Sequence, residues 1–252
     1  MVGAKQLSRE DLREVAQVAD VGTLETLMQI LAERSAQQLI YSNLACEIQV
    51  SVDTVKRWVD LRVRLRYGFT VRPWVTNIAK APRKEPNWIL RVWSGLADGR
   101  ARAETLVACH LLKAVDGWND LGFGEFELRY VRDKQKREED FLLVKNHKPW
   151  FLVEVKMSDT SLSPTLAHFQ AQTQAAHAFQ LMVSLASQPA DCFRVHRPVV
   201  VPARTFLSQL LRACEQVTIT ERRHRLMAYG DRCRPPGRTT WLRPRISFAL
   251  LF

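Results

Sequence analysis

The sequence lacks the features that define several common protein classes. Its five cysteines are widely spaced over 252 residues and include no Cys-x-x-Cys pair, which argues against a disulfide framework and against a zinc ribbon. It has no His-Glu-x-x-His and no Gly-x-x-x-x-Gly-Lys-[Ser/Thr] segment, so neither a zinc protease nor a P-loop nucleotide site is predicted.

Long apolar runs are also absent. No stretch approaches the roughly 20 apolar residues that cross a bilayer, and residues 1–14 lack the apolar core of a signal peptide. Scattered, unpaired cysteines favour a reducing compartment. We therefore expect a cytoplasmic protein without a membrane segment.

Positive charge is in excess. The chain has 37 Lys and Arg residues against 26 Asp and Glu residues, a formal net charge of +11. Such an excess attracts polyanions, and nucleic acid is the first candidate partner. The alternative is a basic protein whose charge serves only solubility.

A helix-turn-helix pattern occupies residues 41–59. A short helix is followed by a turn and by a second helix, for which Ser51 is the predicted N-cap. Residues 62–67 then alternate between arginine and other side chains, which predicts a half-buried strand and completes a winged helix. A DNA-binding role and a packing or dimerisation role both remain open. The predicted DNA contacts are Thr54, Lys56, Arg57, Arg62, Arg64 and Arg66.

Acidic residues and one lysine recur at the ends of predicted elements farther along the chain. Glu104 lies on or beside the apolar stripe of a helix over residues 102–115. Asp140 opens the first strand of a predicted hairpin, and Glu154 and Lys156 end its second strand on one common face. Metal-assisted phosphodiester hydrolysis requires such a group of acids and an amine. A surface ion pair and a helix-start glutamate are the alternatives.

Several segments together resemble a known family. They include Asn43-Leu44-Ala45, Lys56-Arg57-Trp58, Pro73-Trp74-Val75, Glu104-Thr105-Leu106, Asp140-Phe141 and Val153-Glu154-Val155-Lys156. In this order they resemble the C-terminal region of prokaryotic AAA-family ATPases. There a winged helix precedes a domain of the PD-(D/E)xK, restriction-endonuclease-like superfamily. The ATPase domain itself has no counterpart in this sequence.

The resemblance implies an α/β (α+β) fold whose mixed central sheet is flanked by helices. With it we expect three regions: a helical segment and winged helix-turn-helix (1–75), a basic connector (76–100) and a nuclease-like domain (101–214). Residues 215–252 have no counterpart in the family; their many arginines and lack of a regular pattern predict a basic irregular tail.

The resemblance further implies roles for the acidic residues. Asp140 and Glu154 would ligate Mg²⁺ or Mn²⁺, and Glu104 would complete the acidic shell. Lys156 would orient or deprotonate the attacking water. The protein would then be a metal-dependent DNA nuclease.

Two other functions remain open. The chain could be a non-catalytic DNA-binding or regulatory module that associates with an AAA-type ATPase in trans. Alternatively, the winged helix could mediate self-association as a homo-oligomer.

Overall fold

The computed structural model describes residues 21–75 and 85–210. In this part of the chain, helices lie against a mixed sheet of eight strands. Residues 203–210 are also helical, and Cys192–Arg194 form a 3-10 helix. The other elements are α1 (Val21–Glu33), β1 (Gln37–Gln38), α2 (Tyr41–Glu47), α3 (Val52–Arg64), β2 (Gly68–Pro73), β3 (Asn87–Leu90), α4 (Gly99–Asp120), β4 (Phe126–Arg132), β5 (Glu138–Lys145), β6 (Lys148–Lys156), α5 (Pro164–Thr173), β7 (His177–Met182) and β8 (Val199–Pro202).

Helices α2 and α3 confirm the two helices predicted over residues 41–59. Ser51 is the N-cap of α3, and its side-chain oxygen accepts a hydrogen bond of 3.1 Å from the backbone N–H of Thr54. This contact satisfies one of the N–H groups that a helix start leaves unpaired. The cap thus fixes where the second helix begins.

The strand predicted over residues 62–67 is wrong, because α3 continues through Arg64. Val55, Val59 and Arg62 are all buried, and their spacing of four and three residues is that of one helix face. The alternation of arginine with other residues is therefore incidental to a helical segment. The strand that follows α3 begins instead at Gly68.

The sheet has the strand order β1-β3-β2-β4-β5-β6-β7-β8. Its β2–β4, β6–β7 and β7–β8 pairs are parallel, and its other neighbouring pairs are antiparallel. The prediction of a mixed sheet flanked by helices is confirmed. Strand β3 lies within the stretch 76–100 that was expected to be a connector, so residues 87–90 belong to the sheet rather than to a linker.

Helix α4 extends beyond the predicted helix over residues 102–115 at both ends, and its start is set by an N-cap farther upstream. The Asp98 carboxylate accepts hydrogen bonds from the backbone N–H groups of Arg100 and Ala101. Glu104 is 7% exposed, as the apolar stripe of the helix predicted. The helix buries Val107 and Leu111 on the same side.

The predicted hairpin is confirmed as strands β5 and β6, joined by a turn at Asn146 and His147. Both turn residues have positive φ angles, 49° and 62°, as a two-residue turn of type I′ requires. The twist of that turn matches the twist of the flanking strands. The turn thus fixes the pairing of Lys145 with Lys148 beside it, and an irregularity between Leu143 and Val144 shifts the register farther along the two strands.

The two faces of the central strands are covered by different helices. Leu142 and Leu152 pack with Leu166 and Phe169 of α5. Trp118 of α4 packs against an aromatic group on the opposite face: Phe126 and Trp150, with Phe151 beside Trp150.

Some predictions fall outside the described residues. They concern the tail over 215–252, residues 76–84 of the connector and the first 20 residues of the helical segment. Among the described helices, none has the length and apolar character needed to cross a membrane.

Candidate active site

The predicted acidic residues of the hairpin lie where the ladder between β5 and β6 ends. Phe141 pairs with Val153, and Asp140 and Glu154 are the next residues on their strands. The Asp140 carboxylate accepts a hydrogen bond of 2.7 Å from the backbone N–H of Val155. This bond fixes Asp140 beside the end of β6.

A register shift next to Asp140 changes which residues of β5 share a face. Arg129 lies opposite Leu142 and Val131 lies opposite Glu139, so β5 has one residue more than β4 between these pairs. An extra residue of this kind is a β-bulge, and it shifts the alternation of side chains by one position. Glu139 therefore lies on the same face as Leu142.

Glu154 lies on that face as well. Leu142 pairs with Leu152, and Glu154 follows Leu152 by two residues along β6. The bulge thus brings Glu139 next to Glu154. The sequence reasoning did not select Glu139 as a site residue.

Glu139 is a fully buried carboxyl group in an unfavourable environment. It is 0% exposed, and in the described part of the chain no donor hydrogen-bonds to either of its carboxylate oxygens. Burial, followed by the negative charge of Glu154 and a hydrogen bond with it, raises the pKa of Glu139 to about 10. Two buried carboxylates in contact cannot both stay ionised. Glu139 is therefore protonated at neutral pH, and only its own proton can form a hydrogen bond with Glu154.

Lys156 forms an ion pair with Glu154, with 2.5 Å between Nζ and Oε1. Burial by itself lowers the pKa of Lys156, but the hydrogen bond and charge of Glu154, together with the charge of Asp140, outweigh it, so the pKa is raised. The ammonium group therefore keeps its proton. In this state Lys156 can orient a water or offset negative charge.

Glu104 reaches the same region from α4. Its Oε1 accepts a hydrogen bond of 2.6 Å from Nε of Arg100. Burial raises the pKa of Glu104; the bond and charge of Arg100 oppose that rise, while the charge of Glu154 adds to it. Arg100 was not selected from the sequence either, because a single arginine in the first turn of a helix has no distinctive pattern.

Asp140 is influenced by both other acids. Burial raises its pKa well above the ordinary value, and the charges of Glu104 and Glu154 raise it further. The bond from the N–H of Val155 and the charge of Arg100 act in the opposite direction. Glu104, Asp140 and Glu154 are thus close enough for their charges to interact. We call these three residues the acidic cluster.

The acidic cluster offers hard carboxylate oxygens, the donors that Mg²⁺ and Mn²⁺ prefer. Among the described residues, no three Asp, Glu, His or Cys side chains are placed to hold one metal ion together. Mg²⁺ in proteins is commonly held by one or two carboxylates, with water and substrate phosphate as its other ligands. Asp140 and Glu154 are two carboxylates whose charges act on each other.

Three of the predicted DNA contacts lie in the first two turns of helix α3. Lys56 and Arg57 are exposed on its first two turns, and Lys56 lies 3.6 Å from Asp53. Thr54 is half-buried, and its hydroxyl group lies 2.8 Å from that of Ser51. Lys56 and Arg57 are therefore accessible to a partner, whereas Thr54 takes part in capping the helix.

The other three predicted contacts do not form a row. Arg64 and Arg66 are exposed at the end of α3 and in the following turn. Arg62 is 2% exposed, and its guanidinium lies 5.6 Å from the ring centroid of Tyr67. The expectation that Arg62 faces solvent is wrong, because the helix turns this residue into the core.

A family model described as a domain of unknown function (DUF8612) matches residues 4–91. The matched segment ends directly after strand β3 and so precedes helix α4 and the acidic cluster. No curated protein and no solved structure matches the chain.

Proposed function

We propose that this protein is a metal-dependent DNA nuclease of the PD-(D/E)xK type, which hydrolyses phosphodiester bonds and binds DNA through a winged helix. The observation that carries the proposal is the acidic cluster beside the Lys156 ammonium group. Burial and mutual repulsion raise the pKa of Asp140 and of Glu104. A cation bound there would relieve that repulsion.

The family resemblance suggests a role for each residue. Asp140 and Glu154 would hold Mg²⁺ or Mn²⁺, and Glu104 would complete the acidic shell. A divalent cation in such a site supplies Lewis-acid polarisation of a phosphate and lowers the pKa of a bound water. Lys156, which keeps its proton, would orient the attacking water and offset the charge that develops on the phosphate.

The fold supports the nuclease part of the proposal. Helix α4 is followed by three antiparallel strands (β4, β5, β6), and helix α5 connects β6 to the parallel strand β7. The resulting mixed sheet with a helix on each face is what the restriction-endonuclease-like resemblance implies. The acidic residues stand at one end of β5 and β6, within reach of the first turns of α4.

The N-terminal elements support the DNA-binding part. Their order is α1-β1-α2-α3-β2-β3, with β1 and β2 both paired to β3. A helix-turn-helix joined to a small antiparallel sheet is the arrangement of a winged helix. Exposed Lys56 and Arg57 on the second helix, and the net charge of +11, favour contact with phosphates.

Plasmid nicking tests the proposal. We expect the wild type to nick supercoiled DNA with Mg²⁺ or Mn²⁺ and to be inactive with a chelator. Asp140→Ala and Lys156→Ala should abolish nicking, whereas Asp116→Ala, at a solvent-exposed position on the same helix as Glu104, should retain it. If the Asp140→Ala variant nicks DNA as fast as the wild type, the assignment of the site is wrong.

A second candidate is a non-catalytic DNA-binding or regulatory module that associates with an AAA-type ATPase in trans. Two observations favour it. In the described part of the chain no three metal-ligating side chains are grouped, and Lys156 already neutralises Glu154. Salt-dependent binding of duplex DNA without hydrolysis, unchanged in Asp140→Ala, would select this function.

A further inference from the structure

Arg100 places an exposed guanidinium at the edge of the acidic cluster. Its side chain is 66% exposed, while that of its partner Glu104 is only 10% exposed. The two residues are four positions apart on α4, so they lie on the same side of the helix. Arg100 is therefore anchored at its inner end and open to solvent at its outer end.

The anchor uses one of the five N–H donors of the guanidinium. Among the described residues, Arg100 hydrogen-bonds through Nε only, to Oε1 of Glu104 at 2.6 Å. Its two Nη groups remain available for another acceptor. A pair of Nη groups fits two oxygens of a phosphate or carboxylate.

The environment of Arg100 makes a permanent cation certain. Its pKa is raised by the hydrogen bond and charge of Glu104, with smaller contributions from Asp140 and Glu154. The bond to Glu104 also restricts the side chain, which reduces the entropy lost when a ligand binds. An ordered, exposed cation beside the acidic cluster can attract an anion that the carboxylates alone would repel.

We propose that Arg100 binds a phosphate of the nucleic-acid backbone and positions it next to Asp140 and Glu154. This inference rests on the proposed nuclease function, since it names the residue through which the substrate enters that site. Arg102 provides a matched control. It is exposed on the same helix, but a residue two positions away lies on a different side of the helix.

The test measures binding and cleavage separately. A fluorescein-labelled DNA duplex is titrated with each protein in Ca²⁺, with fluorescence anisotropy as the readout, and its cleavage is followed in Mg²⁺. We expect Arg100→Ala to weaken binding about 10- to 100-fold, the usual effect of losing a charge-assisted hydrogen bond. Arg100→Lys, which keeps the charge and an ion pair with Glu104, should recover only part of the affinity. Arg102→Ala should bind within about twofold of the wild type.

A second readout separates a phosphate contact from an indirect effect on Glu104. The slope of log K against log salt concentration is negative, and losing one phosphate contact decreases its magnitude by about 0.9 for duplex DNA. We expect this decrease in Arg100→Ala, whereas Glu104→Gln should leave the slope unchanged.

Two results with the variants would overturn the proposal. Equal weakening in Arg100→Ala and Arg102→Ala would show a general effect of charge, and unchanged binding in Arg100→Ala would show no contact. If binding depends on Arg100 but no metal supports cleavage, the phosphate contact stands and the nuclease function fails. If the wild type does not bind DNA at all, both proposals fail.

Discussion

Replacement of the buried Glu139 by glutamine should stabilise the protein at neutral pH. The pKa of Glu139 is about 10 in the folded chain, against an ordinary value of 4.5. Folding at pH 7 therefore requires that Glu139 take up a proton. The interval from pH 4.5 to pH 7 corresponds to about 3 kcal/mol, at about 1.4 kcal/mol per pH unit. Glutamine is neutral, has nearly the same shape and can donate a hydrogen bond to Glu154, so it avoids this cost.

The sign of the pH dependence follows from the raised pKa. The stability that the Glu139 proton contributes is fully present below pH 4.5 and is lost as the pH rises toward about 10. The advantage of Glu139→Gln should thus be close to zero near pH 4.5 and grow with pH. Because the acids of the cluster interact, about 3 kcal/mol at pH 7 is an upper value.

Urea unfolding followed by circular dichroism at pH 5, 7 and 8.5, with a chelator present, measures this effect. Glu138→Gln is the matched control, because the neighbouring Glu138 pairs with Arg132 at 3.2 Å and is partly exposed. Its loss should cost up to about 1 kcal/mol. If Glu139→Gln is no more stable than the wild type at pH 7, or if its gain does not increase with pH, Glu139 is not a buried protonated acid.

Two further predictions concern the N-terminal elements. Gly68→Ala should destabilise the protein by about 1–3 kcal/mol in urea unfolding, because a Cβ there would overlap the buried ring of Trp88 and lie 2.6 Å from the carbonyl oxygen of Ile89. Gly117→Ala is the control, because Gly117 lies on a helix and nothing lies within 4 Å of the added Cβ; it should stabilise the protein by up to about 1 kcal/mol. If the two alanine variants change the free energy of unfolding equally, the packing described for β2 is wrong. Ser51→Ala should lower the melting temperature, because it loses about 1 kcal/mol of helix capping. Ser51→Thr, which keeps a hydroxyl group, should retain most of the melting temperature. Equal melting temperatures for the two variants would contradict the cap.

Local signals in the sequence were sufficient for the parts of the fold that short-range chemistry determines. Ser51 at the start of α3 is a typical capping residue. Its side-chain oxygen accepts a hydrogen bond from the backbone N–H of Thr54, three positions later, which has no partner within the helix. The apolar runs on either side of Asn146 and His147 form the predicted hairpin. The inward position of Glu104 follows from the spacing of apolar residues on α4.

The prediction for residues 62–67 was wrong because a segment of six residues can fit both the two-residue period of a strand and the 3.6-residue period of a helix. The arginines recur every second residue, but Arg62 also continues the helical spacing of Val55 and Val59. Burial of Arg62 against Tyr67 decided between the two, and this contact depends on the tertiary structure. The pattern alone carries no information about it.

Glu139 was missed for a different reason. Regular alternation along β5 would place Glu139 on the face opposite Leu142, away from Glu154. The bulge beside Asp140 reverses this, and bulges depend on pairing with another strand rather than on a local signal. Arg100 likewise becomes informative only when Glu104 and the ends of β5 and β6 are seen together.

If the proposed site is correct, the acidic cluster binds a divalent cation through Asp140 and Glu154. Electron paramagnetic resonance of Mn²⁺ tests it directly, since Mn²⁺ bound to a protein loses most of the signal that free Mn²⁺ gives. We predict that the wild type binds one Mn²⁺ per chain and that Asp140→Asn and Glu154→Gln both lose this binding. Circular dichroism should show that all three proteins are folded. A free Mn²⁺ signal that the wild type leaves unchanged, or binding that survives in both variants, would contradict the account.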